Sequence, residues 1–214
     1  MAMNLKEFNE ELAKTNKLVI IGPMALTLPY IIDSPIIYVD GGLNHRPSDD
    51  HPYLSVGDDD SNKTSDSLDI KLDENKDFSD LTYALTLIPD NITEIELFGF
   101  LGGRLDHQMV TLGSIHHFLK ERKHQTRCHF EKKIIANSSG NFSFTHEGIF
   151  SILSLEEQEI TISGACDYPL NDDKGVKTLS CLTLSNKAYG EVHITSKHPI
   201  FVYLLDKEVP GNNA

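Results

Sequence analysis

Two apolar runs limit what this chain can fold into. Lys17-Leu18-Val19-Ile20-Ile21 and Pro35-Ile36-Ile37-Tyr38-Val39 are rich in β-branched residues and lack polar alternation. A strand apolar on both sides must be covered on both faces, as in the parallel sheet of an α/β layer. Each run ends in a turn signal, Gly22-Pro23 after the first and Asp40-Gly41-Gly42-Leu43-Asn44-His45 after the second. Tyr53-Leu54-Ser55-Val56 and residues 69–72 and 94–101 read as further strands. Helical periodicity lies around them. Asn4-Leu5-Lys6-Glu7 has the form of a capping box, with Leu5, Phe8 and Leu12 on one face of a helix reaching about residue 14. Leu81, Ala84, Leu85 and Ile88 outline a second helix, and Leu105, Met109, Leu112, Ile115 and Leu119 a third. Residues 24–33 read as a short crossover helix interrupted by Pro29.

The pattern changes after residue 127. Short runs at 130–135, 141–144, 149–155, 159–163, 178–184, 191–195 and 200–205 are mostly separated by Gly, Asn, Asp or Pro. That spacing predicts a β-sandwich. The expected fold class is an open, mostly parallel, Rossmann-like α/β domain over residues 1–127, followed by an antiparallel β-sandwich domain over 128–214.

Composition narrows the partners. The 214 residues, 39% of them hydrophobic, can bury a sizeable core. A formal charge of −13 without a basic patch argues against a nucleic-acid partner. It suits a cationic ligand, or an anionic one brought in with Mg²⁺. Cys128, Cys166 and Cys181 lack metal-ligand spacing and point to a reducing, cytoplasmic setting. Residues 18–39 are apolar but contain Pro23, Pro29, Pro35 and Asp33, which a membrane-spanning helix would not carry. The chain is expected to be soluble.

Candidate chemistry gathers beyond the carboxyl ends of the strands, where open sheets bind ligands. In Val56-Gly57-Asp58-Asp59-Asp60-Ser61, an extended backbone would put Asp58 and Asp60 on one face and Asp59 on the other. Two carboxylates sharing a space call for a cation, and hard oxygen ligands suit Mg²⁺ or Ca²⁺. The run also reads as a solvated acidic turn. A calcium loop fails, because its sixth and last positions hold Lys63 and Asp69 rather than Gly and Glu. Asp77-Phe78-Ser79-Asp80 stands at a helix start, where Ser79 or Asp80 can be the N-cap. Gly102-Gly103-Arg104-Leu105-Asp106-His107 joins a strand to a helix and can form an anion site, with Arg104 as a fork for phosphate. An ordinary tight turn fits there equally well.

Four motifs in order resemble the thiamine pyrophosphokinase family: Asp-Gly-Gly-x-Asn at 40–44, Gly-Asp-x-Asp-Ser at 57–61, Asp-x-Ser-Asp-Leu at 77–81 and Gly-Gly-Arg-Leu-Asp-His at 102–107. The tail is similar too, through Gly164, Tyr168-Pro169-Leu170 and Leu184-Ser185-Asn186. The resemblance implies transfer of a diphosphoryl group from ATP to thiamine, giving thiamine diphosphate and AMP with Mg²⁺. It also implies a homodimer with the acceptor site at its interface. By motif position it assigns Asp58, Asp60 and Asp77 to catalysis through Mg²⁺ and puts Asp106 near the nucleotide; the attacking alcohol needs its proton accepted, and Asp106 is the catalytic carboxylate read in that role. Asp40, Gly41, Gly42, Asn44, Ser79, Asp80, Arg104 and His107 fall to the nucleotide, and Tyr168, Ser185 and Asn186 to thiamine. The sequence departs from the family at Asp59, at Phe78 and in the short stretch 62–74. It has no tryptophan, so an aromatic contact to the thiazolium falls to a tyrosine. Two other readings remain open at this point. One is a diphosphokinase for another alcohol such as a hydroxymethylpterin, and the other is a catalytically silent thiamine or nucleotide binder.

Overall fold

The structure is a computed structural model and describes residues 3–24, 33–47, 51–58, 60, 67–131, 133–171 and 175–205. It contains helices α1 (Leu5–Leu12), α2 (Asp80–Thr86) and α3 (Leu105–Lys120) and a 3-10 helix at Asp40–His45. Strands β1 (Lys17–Ile21), β2 (Ile36–Val39), β3 (Tyr53–Gly57), β4 (Ile70–Lys71), β5 (Glu94–Phe98) and β6 (Arg127–Phe130) make up its first half. Then follow β7 (Ile134–Asn137), β8 (Gly140–Ser154), β9 (Gln158–Cys166), β10 (Gly175–Val176), β11 (Asn186–Ser196) and β12 (Ile200–Leu205). Chain contacts divide these into two compact units, Met1–Glu131 and Lys132–Ala214.

In the first unit every strand pair is parallel. β1 pairs with β2 and β5, β2 with β3, β3 with β4, and β5 with β6. The apolar runs explain the centre. Val19, Ile21, Ile36, Tyr38 and Tyr53 form a cluster with Leu43 from the 3-10 helix. The alternate residues Leu18, Ile20, Ile37 and Leu54 are buried as well, so both faces of these strands are covered. Each such side chain contributes about 1.5–3 kcal/mol by leaving water. The capping box forms: Asn4 accepts from the Glu7 backbone, and Glu7 accepts from that of Asn4. It starts α1 so that Phe8 and Leu12 are buried.

In the second unit every pair is antiparallel, with β11 between β8 and β9 and β12 between β8 and β7. Its core gathers Phe142, Phe144, Phe150, Ile152, Ile160, Ile162, Val192, Ile194 and Val202.

The expected fold class needs correction. The strands join into one mixed sheet of twelve, in the order β10-β9-β11-β8-β12-β7-β6-β5-β1-β2-β3-β4. A Rossmann-like domain with a separate sandwich is not what forms. Helices are few, three α-helices among the described residues, and β2 leads towards β3 through a 3-10 helix rather than an α-helical crossover. A strand edge presents unpaired backbone groups that need partners.

Local readings also shift. Residues 141–144 and 149–155 are one strand, β8, continuous through Gly148 at φ 152°. The run 130–135 breaks into β6 and β7 at Glu131, whose φ is 47°. Residues 178–184 form no strand and contain a 3-10 turn at Cys181–Thr183. The crossover helix expected at 24–33 falls largely outside the described residues. No helix among the described residues is long and apolar enough to cross a membrane.

Candidate active site

The parallel strands bring their carboxyl ends together, and a cleft of about 540 Å³ opens there. Pro23 and Met24 after β1, Asp40 after β2, and Gly99 and Phe100 after β5 form part of its wall. Ser79, Asp80 and Leu81 from the start of α2 line it as well, as do Gly102, Gly103, Arg104, Asp106 and His107 around the start of α3. Six residues expected at the nucleotide or in catalysis therefore line this cleft: Asp40, Ser79, Asp80, Arg104, Asp106 and His107.

Asp40, Asp58 and Asp60 each place a carboxylate oxygen within 4.8 Å of the others. The convergence of Asp58 and Asp60 does not come from strand alternation, because β3 ends at Gly57. The chain turns instead, with the Asp60 backbone N–H at 3.4 Å from Asp58 Oδ1. Asp59 lies outside the described residues. Asp77 is not part of this group and is exposed.

Asp40 is the unusual member. It adopts φ 52°, a left-handed conformation that costs a non-glycine residue energy and recurs at functional sites. Its Oδ1 is buried and has no hydrogen-bond partner among the described residues. Burial first, then the charges of Asp60, Asp80 and Asp58, push its carboxyl up to about 6. An oxygen kept dry, unbonded and beside two other carboxylates is suited to a cation.

Lys76 was not singled out in the sequence. Its Nζ lies 2.8 Å from Asp58 Oδ2 and 3.0 Å from Asp80 Oδ1. Its hydrogen bond holds the Asp58 carboxyl below the usual range. Burial opposes the Lys76 charge, but the bonds to Asp58 and Asp80 outweigh it and raise its pKa. Burial pushes the Asp80 carboxyl up despite the same ammonium.

Close packing, not ligand approach, explains two of the glycines. A Cβ on Gly42 would lie 2.1 Å from the Ile21 carbonyl oxygen, and one on Gly57 would lie 2.9 Å from Asp40 Cα. Gly41 and Gly42 are buried, and Asn44 is half-buried in the same 3-10 helix. Gly57→Ala therefore crowds the Asp40 backbone, and the two must shift relative to each other. We expect it to cost about 1–3 kcal/mol of stability and to weaken divalent-cation binding by more than that loss explains. Denaturant titration beside Mn²⁺ titration checks this.

At the start of α3, Arg104 Nη2 donates to Asp106 Oδ2 at 2.5 Å. That bond holds the Asp106 carboxyl down at about 2, so while paired it is a poor proton acceptor. Ser79 caps α2 by accepting from the Thr82 backbone N–H. Leu105 and Met109, expected on a core face, are exposed, and α3 is buried only at Ile115, His116 and Leu119.

The model of the family "Thiamin pyrophosphokinase, catalytic domain" matches residues 32–129. Over that segment, rather less than half of the 214 residues, the chain resembles the catalytic domain of that family. The matched segment contains Asp40, Asp58, Asp60, Lys76, Asp80 and Arg104. Solved structures share the fold. The thiamine pyrophosphokinase of Bacillus subtilis is 22% identical, over 89% of this chain and 100% of its own, with a TM-score of 0.65. That of Geobacillus thermodenitrificans is 19% identical, over 90% and 99%, with a TM-score of 0.68. That of Candida albicans is 13% identical, over 94% and 91%, with a TM-score of 0.66. Among curated proteins the comparison finds no match.

The residues expected at thiamine lie outside the matched segment, in the second unit. Tyr168 is 67% exposed and offers a free ring face. Asn186 is buried and ties down the Tyr168 backbone: its Nδ2 donates to the Tyr168 carbonyl at 2.7 Å, and its Oδ1 accepts the Tyr168 N–H at 3.0 Å. Ser185 is exposed at φ 55°, its backbone N–H donating to Ser151 Oγ. Asn186→Ala removes both bonds between this buried amide and the Tyr168 backbone, so it should cost about 2 kcal/mol, read as a melting-temperature drop of roughly 4–8 °C. An unchanged melting temperature would make Asn186 a ligand contact only.

Proposed function

We propose that this chain transfers the diphosphoryl group of ATP to the hydroxyl of thiamine, releasing AMP and thiamine diphosphate. The observation that carries the reading is the convergence of Asp40, Asp58 and Asp60, with Asp40 also lining the cleft that Arg104 and the start of α3 border. Asp40, Asp58 and Asp60 would hold Mg²⁺, with Asp40 in the third place that the motif assigned to Asp77. The chemistry of the donor set fits, being three carboxylates with one oxygen unbonded and dry. Bound there, Mg²⁺ neutralises charge on the transferring phosphates.

The remaining work is positioning, which is most of what phosphoryl transfer asks of a protein. Arg104, held in orientation by Asp106, supplies a guanidinium fork to the nucleotide phosphates. Gly102 and Gly103, at φ 92° and 68°, turn the chain so that the start of α3 borders the cleft. Tyr168, positioned by Asn186, offers the thiazolium an aromatic face, and Ser185 stands beside it. A homodimer with the acceptor site at its interface is part of this reading.

The purified chain with ATP, Mg²⁺ and thiamine should release AMP and thiamine diphosphate in equal amounts. A hydroxymethylpterin is run in parallel. AMP release with the pterin alone would reassign the acceptor, and none with either would leave a binding protein.

A further inference from the structure

The side chain of Lys76 is 8% exposed, and its ammonium joins two carboxylates from different parts of the chain: Asp58, just past β3, and Asp80, the first residue of α2. An ion pair with Asp80 alone, four residues on, would be an ordinary helix-start pair. The bridge to Asp58 makes it different. Asp58 gives Oδ2 to Lys76 and shares the Asp40–Asp60 group, so one carboxylate links an ammonium to a candidate metal centre. In two-metal phosphoryl-transfer sites, ions about 3.5–4 Å apart share bridging carboxylates in the same way.

We propose that Lys76 stands in the place of a second divalent cation and holds this centre to one. The inference rests on the metal centre under the proposed function. The four carboxylates of Asp40, Asp58, Asp60 and Asp80 are then balanced in part by one fixed ammonium and one exchangeable cation. The fixed charge also occupies one oxygen of Asp58 and one of Asp80, and so positions both carboxylates before nucleotide arrives. Lys76 is a positioning residue, because burial keeps its Nζ against the carboxylates.

The test is Mn²⁺ alone against the full chain, read as bound ions per chain by equilibrium dialysis and as exchange coupling in the electron paramagnetic resonance spectrum. Wild type and Lys76→Arg should bind one uncoupled ion. Lys76→Met and Lys76→Gln should bind two, with the coupling expected of a close pair. Circular dichroism shows which variants are folded. Two ions on the wild type, or one ion on a folded Lys76→Met or Lys76→Gln, would overturn the inference and leave the metal centre standing. No ion on the wild type would overturn both, which separates the two failures. If neither neutral variant folds, the wild-type count still decides between one and two.

Discussion

Asp40→Asn should abolish turnover and yet make the cation-free protein more stable. The Asp40 carboxyl is raised to about 6 from 3.8, by burial first and by Asp60, Asp80 and Asp58 next. A carboxylate whose folded value lies above its unfolded value binds more protons folded than unfolded between those values. Stability therefore falls as pH rises from about 4 to about 6, and the cost is complete above that. Because Asp40 is only half-buried, solvent screening reduces the cost to about 1 kcal/mol. At pH 7.5 without divalent cations, Asp40→Asn should melt about 2–4 °C above wild type, and at pH 4 the two should coincide. Excess Mg²⁺ should raise the wild-type melting temperature and leave the variant where it was. A variant less stable than wild type at pH 7.5 would mean that Asp40 supports the fold rather than a cation.

Asp58→Asn should be the most damaging single change, for two reasons. It removes a charged oxygen from the Asp40–Asp60 group and takes from Lys76 one of its two carboxylate partners. Loss of one positioned electrostatic group in an active site costs about 2.7–4 kcal/mol in rate, on the order of a hundred- to a thousandfold. Asp60→Asn should fall within the same range but leave the Lys76 pair intact, so its melting temperature should stay nearer wild type. Kinetics with ATP, Mg²⁺ and thiamine, beside thermal melts, separate the two. Equal activity in wild type and Asp58→Asn would remove the carboxylate group from the mechanism.

Some of this was readable in the residues. Leu18 to Ile21 and Ile36 to Val39 are apolar at every position, and only a strand covered on both sides accommodates that. Asn4 and Glu7 announce α1 because a capping box is a local device. Sheet order is not local. Nothing in β5 says that β6 will lie beside it, and nothing in β7 names β12, so one sheet of twelve could not be read from runs and turns. The apolar residues at 178–184 mimicked a strand, although Ser180 caps a 3-10 turn there.

The site divides in the same way. Asp40, Asp58 and Asp60 were visible as carboxylates at strand ends. Their meeting depends on a turn at Asp58 and on a left-handed Asp40, which no spacing rule shows. Lys76, in Glu-Asn-Lys-Asp, looks like any solvated lysine, and only the folded chain buries it against Asp58 and Asp80. Periodicity put Leu105 and Met109 on one helical face but could not say whether anything covers it.

The fate of the β-phosphorus tests the central claim most directly. With ATP labelled at the β-phosphate, Mg²⁺ and thiamine, the account predicts label in thiamine diphosphate and unlabelled AMP, with Asp58→Asn giving neither above background. Label retained in ADP while thiamine gains only the γ-phosphate would contradict it, because the chain would then move one phosphoryl group instead of two.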